Sequence, residues 1–371
     1  MHIQVKRILW ILVPIAILIL TSAVIHIKSV PNKRTIIVPD DYPRIDWAIG
    51  NATEGDIIFV KKGIYLDQSF YIDKPLSLLG EDRENTILRG YFPSFLGPPG
   101  AFPPNATIIH LNADNVTISG FTFENAISGI GGSGNGVKIT DNIFKRIGGW
   151  AISLEGSNNV ISRNRFEIVF SGVNCGGNHN TISDNIFNKP FSSGGLSIGV
   201  HGTNNTIARN NLIDVAYGIS VSGDFNMIAG NNITRGLLGI KIDTGSHNII
   251  RGNIVTGTFH GGIVIISGFN NTIYENHVAY NRYGITMGGF EQHAENNTVY
   301  RNNFINNDRQ VRTDWIVYGV NYWDNGSEGN YWSDYGGTDT DGNGIGDTPY
   351  IINENNRDRY PRMNPIAISG S

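Results

Sequence analysis

The sequence contains a single cysteine, Cys175, among 371 residues. An intramolecular disulfide is therefore impossible, and a zinc site built from several cysteines is excluded. Charged residues make up only 16% of the chain, its formal net charge is -4, and Lys and Arg form no run. Because binding to a nucleic-acid backbone depends on clustered positive charge, we expect no nucleic-acid partner.

The chain also lacks the patterns of helical repeats. The i, i+3, i+4 spacing of apolar residues does not recur at a fixed period along the chain as helical repeats require, and leucines do not stand at the fixed spacing of leucine-rich repeats. Hydrophobic residues nevertheless make up 40% of the chain, together with 46 glycines. This composition permits a large core and excludes a disordered chain.

A short sequence motif repeats along most of the chain. The segment NNTIARNNL at 204–212 has relatives such as VKITDNIF at 137–144 and TVYRNNF at 298–304. The apolar residue before each turn marks nine copies, at Ile118, Ile139, Ile161, Ile182, Ile207, Ile228, Ile250, Ile273 and Val299. Successive copies are 21 to 26 residues apart. A period near 22 with β-branched residues beside Gly and Asn predicts a parallel β-helix, in which coils stack about 4.8 Å apart.

Three residues after each marker, most copies carry asparagine. Asparagine tolerates the left-handed backbone of tight turns, and its amide both donates and accepts hydrogen bonds. Stacked coils would therefore form an asparagine ladder, at Asn142, Asn164, Asn185, Asn210, Asn231, Asn253, Asn276 and Asn302. A later strand of several coils begins with Gly and an aliphatic residue, as in Gly218-Ile219 and Gly284-Ile285. We expect three short strands and three turns per coil.

The first thirty residues predict export. Lys6 and Arg7 precede an apolar run from Ile8 to Leu20, with weaker apolar sequence up to Ile27. The shorter run suits a cleavable signal peptide, whereas the longer stretch is about the length of a membrane-spanning helix. Residues 1–30 are therefore a signal peptide or a signal anchor, and the rest of the chain is expected to be periplasmic or extracellular.

The coils resemble the PbH1 repeats of right-handed parallel β-helix proteins with the pectin-lyase-like fold. Residues 35–65, TIIVPDDYPRIDWAIGNATEGDIIFVKKGIY, are similar to the start of NosD-like and other carbohydrate-binding and sugar-hydrolysis (CASH) β-helices. The resemblance implies an all-β, single-stranded right-handed parallel β-helix with an N-terminal capping helix and an irregular C-terminal cap. The expected divisions are 31–110 for the N-terminal cap and first coils, 111–312 for the regular coils, and 313–371 for the C-terminal cap.

The capping helix can be placed more closely. Asp41 is expected to cap its N-terminus, with Pro43 in the first turn. Its apolar face would contain Ile45, Ala48, Ile49 and Ala52. Because the open end of a solenoid must be covered, this helix should lie over the first coil.

A calcium-type loop interrupts the repeat near the C-terminus. Residues 329–350 resemble the C-terminal segment of NosD-like β-helix proteins, and oxygen ligands alternate in it around Gly344, in the pattern of an EF-hand loop. The predicted ligands are Asp339, Asp341, Asn343, the backbone of Ile345, and Asp347. Position 12 holds Tyr350 where a bidentate Glu is usual. The loop is thus either a structural Ca²⁺ site or an ion-free turn.

A weak catalytic candidate precedes the ladder asparagines. Asp141, Arg163, Asp184 and Arg209 occupy equivalent positions in four successive coils. Asp141 and Asp184 would lie two coils apart, about 10 Å, and the intervening Arg would keep both acids ionised. Alternating charges of this kind are typical of a solvated surface. A lyase or hydrolase would instead need converging acids that include a proton donor.

Histidines offer no better site. NosD proteins are associated with copper-site assembly, yet His179 and His247 would lie three coils apart, roughly 14 Å, too far to share one ion.

We expect a protein that binds an extracellular polysaccharide or another cell-surface component, with membrane attachment through the N-terminal segment. A polysaccharide lyase or glycoside hydrolase, and a surface-structural or periplasmic metal-site assembly protein, are the alternatives.

Overall fold

The computed structural model describes residues 33–90, 106–188, 194–289, 292–312 and 319–368. The chain divides into two units, Met1–Arg34 and Thr35–Ser371. The predicted signal peptide or anchor at 1–30 lies outside the described residues. Within those residues, no helix combines the length and the apolar character that crossing a bilayer requires.

The second unit is a right-handed parallel β-solenoid, as predicted. One parallel sheet, called sheet A, takes one short strand from each of 12 coils. Its strands are Thr35–Val38, Ile57–Val60, Ser77–Gly80, Thr117–Ser119, Lys138–Thr140, Val160–Ser162, Thr181–Ser183, Thr206–Ala208, Met227–Ala229, Ile249–Arg251, Thr272–Tyr274 and Thr298–Tyr300.

Sheet B, with 18 strands, forms the remaining wall of the solenoid. Its strands are Gly63–Tyr65, Phe70–Ile72, Thr86–Arg89, Thr107–Asn112, Thr122–Ala126, Ser128–Ser133, Ile143–Glu155, Arg165–Gly176, Ile186–Asn188, Leu196–His201, Asn211–Ser222, Asn232–Thr244, Ile254–Ile265, His277–Ala279, Tyr283–Met287, Asn303–Ile305, Arg309–Arg312 and Tyr331–Trp332. Two small pairs complete the strands, Gly268–Phe269 with Ala294–Glu295, and Tyr350–Ile351 with Arg357–Asp358.

Sheet B has two arms in each regular coil. The first arm includes Ile186–Asn188 and the second arm includes Leu196–His201. In several coils one bent strand, such as Asn211–Ser222, supplies both arms. The bend falls at a residue in the left-handed region, for example Asp214 with φ 55°. The three strands predicted per coil are therefore present, with two of them often merged.

The repeat marker sets the register of sheet A. Ile118 pairs with Ile139, and the pairing continues through every marker to Val299. These markers are buried, and a phenylalanine column lies beside them in the core. The rings of Phe123, Phe144, Phe166 and Phe187 stack at centroid distances of 4.8, 5.1 and 4.4 Å.

Glycine is required where the coils approach most closely. A Cβ on Gly202, whose φ is 134°, would stand 2.1 Å from the carbonyl oxygen of Gly177 in the preceding coil. Gly223, with φ 121°, has the same relation to Gly202, at 2.2 Å. Only a residue without a side chain permits this backbone spacing.

The N-terminal helix is present, but its predicted start was wrong. The helix comprises Ile45–Asn51, and Arg44 precedes it without a side-chain capping bond. Asp41 instead accepts a 2.7 Å hydrogen bond from the backbone N–H of Ile37, which closes the turn after the first strand. The predicted apolar face is correct, since Ile45, Ala48, Ile49 and Ala52 are buried in the core.

Aromatic side chains close the C-terminal end. Trp323 and Trp332 are buried, and Trp332 stacks between Phe304 at 4.6 Å and Tyr350 at 4.5 Å. The indole N–H of Trp332 donates to Asp358, and that of Trp323 donates to Asn356. Large apolar rings with satisfied N–H groups thus cover the last coil.

Candidate functional site

Two adjoining depressions lie along the outer surface of the second arm. The larger has a volume of about 340 Å³ and is lined by Leu238, His260, Val264, Ile266, Arg282, Tyr283, Thr286 and Arg312. The smaller has a volume of about 230 Å³ and is lined by Leu196, Tyr217, Ile219, Ser220, Leu238 and Lys241. Because Leu238 belongs to both, we treat them as one feature and call it the groove.

The repeat itself places the apolar residues of the groove. Leu196, Tyr217 and Leu238 pair in register on successive coils. Tyr217, Leu238 and Tyr283 each stand immediately before a Gly-aliphatic pair that begins the inward-facing part of the strand. Regular alternation would place residues two positions apart on the same face, but Ile219 is buried and Tyr217 is exposed, so the alternation is interrupted at Gly218. Tyr217 is 41% exposed.

Positive charge collects at one end of the groove. The guanidinium carbon of Arg312 lies 4.9 Å from the centre of the Tyr283 ring, and that of Arg282 lies 5.5 Å from the same centre. At the other end, Lys241 makes an ion pair with Asp243, which also accepts a hydrogen bond from the Ser220 hydroxyl. None of the described lining residues is acidic.

The predicted acid–arginine quartet lies elsewhere on the molecule. Arg163 binds Asp141 through two hydrogen bonds of 2.8 and 2.6 Å, and Arg209 binds Asp184 through two of 2.8 Å. These hydrogen bonds lower the pKa of Asp141 and of Asp184. All four residues have left-handed backbones, at the corner between sheet A and the first arm. The structure therefore pairs the charges and leaves both acids ionised, without bringing them into the groove.

The C-terminal loop satisfies its oxygen atoms internally. Asp339 accepts hydrogen bonds from the backbone N–H groups of Asn343 and Gly344, at 3.1 and 2.8 Å. Asp341 accepts one from the Asn343 backbone at 3.1 Å, and Asn343 accepts one from Ile345 at 2.8 Å. Asp347 accepts from both Thr338 and Thr340, which lowers its pKa. The loop has the predicted alternating order, and calcium binding by it stays a prediction.

The asparagine ladder runs through the corner between sheet A and the first arm. Each side-chain amide donates to the Oδ1 atom of the next asparagine, over distances of 2.9 to 3.2 Å. The series joins Asn142, Asn164, Asn185, Asn210, Asn231, Asn253, Asn276 and Asn302. Asn302 donates onward to Asn330, and Asn330 donates to the buried carboxylate of Asp358. The ladder is buried, and its role is structural.

Sequence reasoning missed a second ladder. Buried asparagines also stack at Asn159, Asn180, Asn205, Asn226, Asn248, Asn271, Asn297, Asn321 and Asn356. The Asn248, Asn271 and Asn297 amides connect at 3.0 and 2.9 Å. Its signal was the Asn two positions before each sheet A marker from Ile161 to Val299, which in four of these seven copies reads as part of an Asn-Thr pair. The groove was missed for a different reason, because its residues vary in type from coil to coil.

The side chains that could bind a metal ion are not clustered in the part of the chain that the structure describes. Among the described residues, no group of three or more His, Cys, Asp or Glu side chains could hold an ion. Cys175 is buried, and burial raises the pKa of its thiol to about 12. His110 stacks on Tyr71 at 4.6 Å and His247 on Phe225 at 4.9 Å.

Comparison with known proteins identifies relatives of the repeat region. The sequence matches the family described as "Periplasmic copper-binding protein (NosD)" over residues 115–283 and 172–337, more than half of the chain. A probable ABC transporter binding protein NosD of Stutzerimonas stutzeri is 32% identical over 133 residues, 35% of this chain and 28% of that protein. The protein of the same name from Pseudomonas aeruginosa is 32% identical over 148 residues, 36% of this chain and 34% of that protein. The matched segment is about a third of the length of these relatives.

Solved structures share the solenoid. The catalytic domain of a GH87 α-1,3-glucanase in complex with tetrasaccharides aligns with a TM-score of 0.59 and 14% identity, covering 81% of this chain and 69% of that one. A PL6 alginate lyase in complex with a trisaccharide aligns with a TM-score of 0.57 and 17% identity, covering 73% and 71%. At these identities the likeness establishes the fold alone.

Proposed function

Because the chain belongs to the NosD family, we propose that it acts outside the cytoplasm, as the periplasmic description of that family implies, and that it binds an extended polysaccharide in the groove. The observation that carries this proposal is the alignment of Leu196, Tyr217 and Leu238 on successive coils. Concave sites lined by apolar and aromatic side chains with a few polar groups are typical of ligand sites. The groove continues over the coils up to Tyr283, three coil steps from Tyr217, or roughly 14 Å.

The saccharide complexes of two proteins with this fold agree with the proposal. Those proteins are a lyase and a glucanase, and binding along a solenoid surface is compatible with the same architecture here. Rigid strands hold the groove side chains in place before a ligand arrives, which reduces the entropy lost on binding.

The groove supports binding better than catalysis. Glycoside hydrolysis normally requires two carboxyl groups on either side of the scissile bond. Asp243 is next to the groove, but Lys241 and Ser220 engage its carboxylate. Asp141 and Asp184 lie at a different corner and are paired with arginines. We therefore propose a binding platform rather than a lyase or hydrolase.

The family description also names copper, and the residues that the structure describes do not fit a copper centre. Copper sites use imidazole, thiolate or thioether ligands gathered around one point. The one thiol is buried with a raised pKa, and the described histidines form no cluster with other donors. The alternative function, assembly of a periplasmic metal site, is thus supported by the family description. The described residues do not add a set of copper ligands to that support.

The test is a binding survey with the full-length chain. Neutral and anionic polysaccharides are titrated against it by isothermal calorimetry, while new reducing ends and unsaturated products are recorded in the same samples. Tyr217→Ala should weaken binding by about tenfold, by analogy with nucleic-acid bases stacked on aromatic rings, where loss of the ring costs about 1–3 kcal/mol. Tyr322→Ala removes a similarly exposed ring, 53% exposed, outside the groove and serves as the control.

Binding without products, weakened only by the groove variant, supports the proposal. Product formation would replace it with the enzyme alternative. Absence of binding to every polysaccharide would overturn it.

A further inference from the structure

We infer that the groove continues past Leu196 to Trp150 and that this stretch binds an uncharged polysaccharide, whose sugar rings lie on an apolar row of side chains and whose hydroxyl groups bond to a polar row beside it. This inference rests on the proposed function and adds the N-terminal end of the site and the chemical class of the ligand.

The indole of Trp150 extends the apolar surface of the groove. Trp150 pairs in register with Ser171 of the next coil, whose small side chain is buried. The indole also reaches the coil after that, because a Cβ on Gly199 would lie 3.7 Å from the Cη2 atom of Trp150. The same Cβ would lie 3.0 Å from the Cδ2 atom of Leu196, so the two side chains border one glycine.

The resulting apolar row follows the stacking direction of the coils. Leu196 pairs with Tyr217, and Tyr217 pairs with Leu238. From Trp150 to Leu238 the row covers four coil steps, or roughly 19 Å. Its members are Trp150, Leu196, Tyr217 and Leu238. The two aromatic members supply large apolar surfaces at fixed places on rigid strands.

A polar row runs beside the apolar row, three residues further along each strand. It joins, in register, Ser153, Asn174, Gly199, Ser220 and Lys241. The Asn174 amide donates a 3.4 Å hydrogen bond to the Ser153 hydroxyl, and the Ser220 hydroxyl donates to Asp243. The carbonyl oxygen of Asn174 and both hydroxyl oxygens carry lone pairs that accept hydrogen bonds. A ligand rich in hydroxyl donors fits this row.

The charges beside the two rows disfavour an anionic chain. Lys241 and Asp243 form an ion pair and neutralise each other. Glu155 is exposed, and its carboxylate lies against Gly176 of the next coil, where a Cβ would overlap it. A carboxylated polymer would bring like charges toward Glu155, and these repel. An uncharged sugar avoids the repulsion, and its hydroxyl groups can donate to the Glu155 carboxylate.

The two parallel rows match the two sides of a sugar ring. A pyranose presents C–H groups on its face and hydroxyl groups at its edge, so one unit contacts both rows at once. A purely apolar ligand would leave the polar row without partners, which lowers its affinity. A monosaccharide covers only part of the rows, whereas a chain places linked units on successive coils, where each binds at a high effective concentration.

The experiment compares uncharged polymers with carboxylated polymers of the same backbone. The pairs are hydroxyethyl cellulose with carboxymethyl cellulose, dextran with carboxymethyl dextran, and fully methyl-esterified pectin with polygalacturonate. Each is titrated by calorimetry against the full-length protein at low and at high salt. His201 pairs with Gly176 beside the polar row, so the titrations are made at pH 8, where an imidazole normally carries no charge.

Each variant has a matched control. Trp150→Ala is compared with Trp47→Ala, which removes an indole that is 53% exposed on the N-terminal helix. Trp150→Leu keeps an apolar side chain beside Gly199 and is the second variant if the alanine variant does not fold. Glu155→Gln is compared with Glu54→Gln, which removes a charge from another exposed position.

We expect the uncharged member of at least one pair to bind, and its carboxylated partner to bind at least about threefold less tightly at low salt, because salt screens the repulsion. Trp150→Ala should weaken binding about tenfold, by analogy with bases stacked on aromatic rings, and Trp47→Ala should not weaken it. Trp150→Leu should weaken binding at least about threefold, since it removes the ring and keeps a smaller apolar contact. Glu155→Gln should narrow the difference between the paired polymers, and Glu54→Gln should leave it unchanged.

Unchanged affinity in the Trp150 variants, with the loss from Tyr217→Ala retained, would overturn the inference and leave the proposed function intact. Tighter binding of the carboxylated polymers, or a difference that Glu155→Gln does not change, would also overturn it without affecting the proposed function. Absence of binding to these polymers and to every other polysaccharide would overturn both.

Discussion

At the scale of single residues, the polarity of the asparagine ladder is the central feature. Each amide N–H₂ donates to the asparagine of the next coil and to a backbone carbonyl of the preceding one, so the last member, Asn330, needs an acceptor beyond the ladder. Asp358 meets this need, because its carboxylate also accepts from the Asn330 backbone and the Trp332 indole. The eight repeat asparagines could be predicted from the period. Asn330 and Asp358 could not, since they follow the point where the period breaks down.

Asn231→Ala tests the ladder. The Oδ1 atom of Asn231 accepts from both the backbone and the side chain of Asn210, at 2.9 and 3.0 Å. Alanine would leave those buried donors without an acceptor, at a cost of about 1–3 kcal/mol for each. We expect the free energy of unfolding to fall by at least about 2 kcal/mol, measured by urea denaturation.

Asn232→Ala is the matched control. Asn232 is the next residue and is only partly buried. Its loss should change the free energy of unfolding by less than about 1 kcal/mol. Equal effects of the two variants would contradict a structural role for the ladder.

Asp358→Asn tests the end of the ladder. Burial raises the pKa of Asp358 from 3.8 to about 6. A group with a raised folded pKa contributes stability that is fully present below the unfolded pKa and is lost as pH rises through the folded pKa. The free energy of unfolding of the wild type, measured relative to that of Asp358→Asn, should therefore decrease as the pH rises from 4 to 7. A difference that does not depend on pH would contradict the raised pKa of Asp358.

At the scale of elements, the two caps depart from the regular coils. Asp41 was predicted as a helix cap, but its carboxylate accepts a hydrogen bond from the backbone N–H of Ile37, and the helix begins only at Ile45. The apolar face of the helix was predictable from its spacing alone. At the other end, the loop from Asp339 to Asp347 follows the calcium-type order, while its carboxylates bind the backbone of the loop.

Calcium addition tests that loop. Without a bidentate Glu at the last ligand position, binding should be no tighter than the 10⁻⁴–10⁻³ M of extracellular modules. We expect 10 mM Ca²⁺ to raise the thermal midpoint of the wild type relative to EDTA by about 2–4 °C, since dissociation constants in that range stabilise the folded state by about 1.4–2.7 kcal/mol. Asp339→Asn should abolish the increase, and Asp308→Asn, at an exposed position outside the loop, should retain it. An unchanged midpoint would identify an ion-free turn.

At the scale of the whole molecule, stacking decides which distant residues share a surface. Leu196 and Arg312 are more than a hundred positions apart in the sequence and line the same groove. Asp141 and Asp184 instead share a corner with the ladder, where arginines from the next coils neutralise them.

Asp141→Asn/Asp184→Asn tests this separation. Asparagine suits the left-handed backbone at both positions, where φ is 58° and 59°. Because the quartet lies outside the groove, we expect polysaccharide affinity to stay within about twofold of the wild type, whereas Tyr217→Ala lowers it about tenfold. A large loss in the double variant would move the binding site to the quartet.

The sequence by itself determined the period, the parallel solenoid, the inward column of aliphatic markers and the first ladder. Each of these depends on a residue type that recurs at one position, because stacked coils give equivalent residues equivalent surroundings. The tertiary structure alone decided which outward residues meet. Lateral contacts between coils of different composition produce the groove, the arginines beside Tyr283 and the partner of Asn330. No recurring residue type in the sequence predicts these contacts.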